Sequence, residues 1–136
     1  MSALLYTDAY ATVTFDEGVA LVRYVRSCVP FSSIDEMRFV HARIAAALPD
    51  RATFAGGEVR ALFDVREAVP RNDEAFEQAV AAALQRLLPK FSAHAFLVKS
   101  AVGRLQLRRL AKRQGDTVQT VFDDEAEALR YLGVSA

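Results

Sequence analysis

The chain has 136 residues, 52% of them hydrophobic and 25% charged, which suits one packed domain and excludes a disordered chain. Its 17 Lys and Arg balance 17 Asp and Glu, so no nucleic-acid or acidic-membrane affinity is expected from the surface as a whole. No apolar run approaches a membrane span, and Met1 to Tyr10 lacks the basic start and long apolar stretch of a signal peptide.

Cys28 is the single cysteine. It excludes an intramolecular disulfide and a cysteine-based metal cluster, and it fits a reducing cytoplasm. The Ala- and Arg-rich usage points towards a GC-rich bacterial source.

In chain order, Thr12 to Phe15 alternates polar and apolar residues, as a half-buried strand does. Asp16-Glu17-Gly18 reads as a turn in which Gly18 supplies a positive φ. Val19 to Ser27 is β-rich and reads as the second strand of a hairpin, with Arg23 and Arg26 on opposite faces. Ser33 and Glu36 have capping-box spacing, and Ile34, Met37, Val40, Ile44 and Leu48 then form a helical stripe. His41 lies in that stripe as a core-edge histidine, while Phe39 lies on the opposite face.

Val59 to Val65 reads as a central buried strand. Asn72 is the expected N-cap of a second helix, with Asp73 and Glu74 where acids favour a helix start. Phe76, Val80, Ala83, Leu84, Leu87 and Leu88 give that helix one apolar face, and Pro89 stops it. His94 then reads as a loop residue before a strand at Ala95 to Val98. A basic helix from about Ala101 to Gln114, a strand at Thr117 to Phe122 and an acidic helix capped by Asp123 complete the chain. Gly133 sits at the C′ position of that last helix. The expected order is β-β-α-β-α-β-α-β-α, an α/β fold with a mixed, mostly parallel sheet.

This order resembles the SpoIIAA-like branch of the STAS superfamily, the sulphate-transporter and anti-sigma-factor antagonist domains. The residues that carry the likeness are Val121-Phe122-Asp123-Asp124-Glu125-Ala126-Glu127-Ala128-Leu129-Arg130-Tyr131-Leu132, with Gly103-Arg104 opening the preceding helix. The resemblance implies a single STAS-like domain over 1–136 and a role in regulatory protein contacts. In the anti-sigma antagonists a strand ending Leu-Asp-Leu leads to Asp-Ser-Ser-Gly-Leu, which holds a phosphorylated serine. Here Phe63-Asp64-Val65 matches the strand end, and Asn72, Asp73 and Glu74 open the segment that would carry the switch. Acids replace both serines, so the phosphoswitch is expected to be absent. The simpler reading of Asp73 and Glu74 is ordinary helix-start acids; the sharper one is a fixed mimic of the phosphorylated state.

Three surfaces are candidates for function. From Lys99 to Arg113 there are six Lys or Arg and no acid. In a helix Val102, Arg104, Leu105, Arg108, Arg109 and Lys112 then form an apolar pair ringed by charge, which reads as a protein interface, a homodimer included. The alternatives there are a solvated basic face or an anionic contact. The carboxyl ends of the parallel strands place Asp64, Arg66, Lys99 and Ser100 in one possible ligand mouth. An apolar ligand between helices, lined by Phe39, Val102 and Leu105, is the remaining option.

No nucleophile elbow, Walker loop, Rossmann fingerprint or histidine metal motif is present in the sequence. Cys28 reads as a buried, inert thiol. The expectation is therefore a cytoplasmic, non-enzymatic interaction or regulatory module, with no cofactor, no metal and no specific nucleic acid, a homodimer with an unidentified protein partner. The alternative is a carrier or sensor of a small apolar or anionic ligand.

Overall fold

The computed structural model describes residues 2–49, 58–69, 73–99, 105 and 120–134. These form a six-stranded sheet: β1 (Ser2–Thr7), β2 (Ala11–Asp16), β3 (Leu21–Arg26), β4 (Arg60–Asp64), β5 (Ala93–Leu97) and β6 (Val121–Phe122). The strands lie side by side in chain order. β1, β2 and β3 are antiparallel; β3 to β6 are parallel. Among the described residues three α-helices of full range accompany them, α1 (Ile34–Ala47), α2 (Glu74–Leu87) and α3 (Glu125–Tyr131). The α/β class with a mixed sheet is therefore as the sequence implies, with one added strand at the N-terminus.

That added strand, β1, was hidden by its own irregularity. Leu4 pairs with Thr14 but Tyr6 pairs with Val13, so Leu5 is an extra residue in a bulge. The bulge turns both Leu5 and Tyr6 towards the core on the α1 side, which destroys the period-2 pattern a strand normally shows. The neighbouring turn also differs from expectation. Its positive φ falls on Ala20 (52°) and not on Gly18. Gly18 instead donates its N–H to Asp16 Oδ1 at 3.0 Å.

Each parallel strand sends alternate side chains to two cores. Towards α1 and α2 point Val22 and Tyr24 of β3, Ala61 and Phe63 of β4, and Phe96 of β5. Towards α3 point Leu21, Leu62, Ala95 and Leu97. β4 is thus buried on both faces, as a central parallel strand should be. On the α1/α2 side Tyr24, Phe63 and Phe96 stand opposite one another in register. Their rings lie 5.4 Å and 5.0 Å apart, the latter pair stacked. Such pairs add about 0.5–1.5 kcal/mol beyond the area they bury.

The helix ends follow local chemistry, with shifts of one residue from the sequence reading. Ser33 Oγ accepts from Glu36 N at 3.1 Å, as its spacing implies. Glu36 does not return the bond to Ser33; it accepts from Ser32 N and Oγ and from the Tyr10 hydroxyl. The N-cap of α2 is Asp73, not Asn72, with Oδ1 accepting from Ala75 N and Phe76 N. The N-cap of α3 is Asp124, not Asp123, with Oδ1 at 2.9 Å from Ala126 N. In both cases the second residue of the pair is the cap: Asp73 reaches the N2 and N3 amides and Asp124 the N2 amide. α3 ends as expected on Gly133 (φ 76°): Gly133 N bonds Arg130 O and Val134 N bonds Leu129 O. Pro89 converts the end of α2 into a single 3-10 turn, Leu88–Lys90.

Two further expectations are corrected. His94 lies within β5, not in a loop. Cys28 is exposed, because it sits in the loop beyond β3.

His41 is buried and fully used. Its Nδ1–H donates to Met37 O at 2.8 Å, which leaves Nε2 to accept from the Tyr24 hydroxyl at 3.2 Å. Burial holds the imidazole below its ordinary pKa, against the opposing pull of the Met37 bond. The folded state therefore binds fewer protons than the unfolded one, so this contribution is complete above about pH 6.5 and is lost as pH falls below it. Urea unfolding is expected to show a loss of stability from pH 7 to pH 5 that is shallower in His41→Gln. Tyr24→Phe is expected to cost about 1–3 kcal/mol at pH 7, since it strands a buried imidazole nitrogen.

Candidate functional site

The carboxyl end of β4 delivers Asp64 into a closed ionic group. Arg66 Nε and Nη2 meet Asp64 Oδ1 and Oδ2 at 3.0 and 2.7 Å, and Arg66 N adds a third bond to Oδ1 at 3.1 Å. Arg66 also reaches Glu125 at the start of α3, at 3.4 Å, and Arg23 of β3 approaches the same carboxylate at 3.6 Å. Burial pushes the Asp64 carboxyl up, but the Arg66 hydrogen bonds and the Arg66 and Arg23 charges outweigh it and hold the group below the usual carboxylate range.

Of the residues expected in this mouth, Asp64 and Arg66 come together. Lys99 is exposed, and Asp64 is paired with Arg66 rather than with it. Ser100 lies outside the described residues. Among the described residues the mouth thus holds the Asp64–Arg66 pair, and an arrangement that includes Ser100 lies outside them. The group ties α3 to the middle of β3 and the end of β4.

The switch-equivalent segment is described from Asp73 onward; Asn72 lies outside. Asp73 and Glu74 are exposed, and the Asp73 carboxylate already occupies the amides at the start of α2. Of the expected basic helix from Ala101 to Gln114 only Leu105 is described, helical and 60% exposed. Val102, Arg104, Arg108, Arg109 and Lys112 lie outside the described residues.

Two features were not anticipated. The first is an open groove of about 350 Å³ between α1 and α2. Its floor is His41, Ala79, Ala83 and Leu87, all buried. Ala42, Ala45 and Ala82 form its sides, and Arg38 and Arg86 stand on its rim. Facing alanines leave the two helices too thin to fill the space between them. Phe39, expected to line a ligand site with Val102 and Leu105, is not part of this groove: it is 61% exposed and lies against Arg43, and Val102 lies outside the described residues. The signal in the sequence was the pair of Arg–Ala stripes, 38-42-45 and 79-82-83-86, at helical spacing.

The second is the edge of β1. Among the described residues no strand pairs with its outer side. Its sequence Ser-Ala-Leu-Leu-Tyr-Thr carries no charge and no proline. The sheet face on the α3 side opens progressively towards it. Leu62 is fully buried, Arg23 and Thr14 are half-buried, and Leu4 in the same row is 62% exposed.

Arg26, on the opposite strand face from Arg23, is buried. It donates to Tyr10 O and Val29 O and lies 4.2 Å over the Phe31 ring. It seals the core end beside β3. Among the described residues no three His, Cys, Asp or Glu side chains group as a metal site, and no helix is long and apolar enough to cross a membrane.

No family model, no curated protein and no solved structure matches the chain.

The ionic group makes a direct prediction. Asp64→Asn is expected to lower stability by about 1 kcal/mol, a figure held down by solvent around Arg66. Because the native carboxyl is depressed, the wild-type contribution is present above about pH 4 and lost as pH falls through the folded value. Acid unfolding followed by circular dichroism is expected to begin at higher pH in Asp64→Asn than in wild type, and the stability difference between the two to shrink as pH falls below about 4.

Proposed function

We propose that the chain is a non-enzymatic protein-interaction or regulatory module of the STAS-like, SpoIIAA-like type, lacking the phosphorylatable serine, and that it assembles with a second copy of itself through β1. The observation that carries this reading is the uncharged, unpaired edge of β1. Free edges are normally blunted by Lys, Pro or inward-pointing charge. Here the bulge at Leu5 is the only such device, and Ser2 to Leu4 continues beyond it.

Antiparallel pairing of β1 with its symmetry mate is self-complementary, since neither strand brings charge to the seam. The paired main chains satisfy each other's amides and carbonyls, and the exposed Leu4 side chains gain cover. The α/β order and the acidic start of α3 are compatible with the STAS resemblance. The internal neutralisation of Asp64 supports a binding role over a catalytic one. Asp73 caps α2 with a permanent carboxylate, which fits a segment that takes no phosphate.

Leu105 favours a second contact surface on the basic segment, for a protein partner of complementary, acidic character. Its expected contacts are Val102, Arg104, Arg108, Arg109 and Lys112. The domain acts in the cytoplasm on this reading.

Sedimentation equilibrium tests the β1 reading. Wild type is expected to be dimeric at micromolar concentration, and Leu4→Lys, an exposed position that leaves the core intact, to weaken the dimer at least tenfold. Leu105→Glu is expected to leave that dimer unchanged. A monomeric wild type, or a dimer broken by Leu105→Glu and not by Leu4→Lys, would overturn it.

A further inference from the structure

The groove between α1 and α2 has no part in the β1 contact, and its chemistry points to a ligand of its own. Its direction follows from topology. β3, β4 and β5 run parallel, and α1 and α2 each carry the chain from the end of one strand back to the start of the next. Both pack on the same sheet face, so the two helices run alongside each other in the same direction.

The lining runs from Arg38 to Ala45 on α1 and from Ala79 to Leu87 on α2. Arg38 to Ala45 and Ala79 to Arg86 each advance seven residues, or about 10 Å. Arg38 therefore opens the groove on one helix, and Arg86 closes it on the other. The cations stand at opposite ends, with alanines and the His41 ring between them.

No acid lines the groove among its described walls. Arg38 has a partner in Asp35 at 3.8 Å, but both side chains are largely exposed, so that pair is weak and readily exchanged. Both nitrogens of His41 are engaged below, at Met37 and Tyr24, so the ring offers an apolar surface rather than a proton. The volume of about 350 Å³ is at the small end of ligand sites.

We propose that this groove binds a small α,ω-dicarboxylate, an apolar chain lying on the alanine floor with one carboxylate at Arg38 and the other at Arg86. A single-headed amphiphile would leave one arginine unused. A compact anion such as phosphate would leave the alanine floor uncovered. A chain of about eight carbons has the span of the groove, so octanedioate is the probe and octanoate the control.

Titration of the full chain, followed by NMR or calorimetry, tests this. Octanedioate is expected to bind in competition with buffer anions and octanoate to bind at least tenfold more weakly. Arg38→Gln and Arg86→Gln, both at exposed positions, are each expected to weaken octanedioate about tenfold, the size of one charge-assisted contact. Ala82→Leu fills the groove from its exposed side and is expected to abolish binding with an unchanged circular dichroism spectrum. No binding of octanedioate, equal affinity for octanoate, or indifference to either arginine substitution would overturn the proposal. Retained affinity in Ala82→Leu would do the same.

Discussion

The constraint on which the fold depends is the burial of β4 on both faces. Leu62 is wholly removed from solvent on the α3 side, and Phe63 almost wholly on the α1/α2 side. Each such side chain contributes about 1.5–3 kcal/mol. A strand so placed cannot shift by one residue without exchanging Phe63 for Leu62 and driving Asp64 into an apolar core. Its register fixes that of its neighbours, because Tyr24, Phe63 and Phe96 stand in one row across three strands. α1 and α2 then have one face to cover and α3 has the other.

Polar groups inside this arrangement are used to hold it. His41 joins α1 to β3 through Tyr24, and Asp64, Arg66, Glu125 and Arg23 join the middle of β3 and the end of β4 to α3. In open parallel sheets the carboxyl ends of strands are where ligands are usually found. Here the described charges at that end are largely satisfied by one another. The two surfaces proposed for recognition are places where packing stops short: the outer edge of β1, which no described strand pairs with, and the groove where α1 and α2 meet through alanine.

Much of the fold could be read from residues alone. The alternation of Thr12 to Phe15, the Ser33 cap, the apolar run of β4 and the αL position of Gly133 all express local rules that packing reinforces. β1 was not legible, because its bulge puts Leu5 and Tyr6 on one side and leaves Leu4 on the other. The cap of α2 moved from Asn72 to Asp73 and that of α3 from Asp123 to Asp124, since neighbouring residues compete for the same amides and only the backbone turn decides between them. His94 was misplaced because strand starts are poorly marked, β5 beginning at Ala93, and Cys28, rightly placed beyond β3, proved exposed rather than buried.

The candidate sites were less legible for the same physical reason. Asp64 and Arg66 were found because strand ends in a parallel sheet converge. The groove was not, because alanine in a helix reads as helix propensity, and its meaning appears only when two alanine stripes face each other. The arginines on its rim read, one helix at a time, as ordinary solvated charges.

The most direct test of the account is backbone amide hydrogen exchange across a dilution series. If β1 is the seam between two copies, its outward amides will be protected at high concentration and will exchange faster on dilution, while β4 stays protected throughout. Exchange in β1 that is fast at every concentration would contradict the account, because a seam that binds nothing leaves those amides open to water.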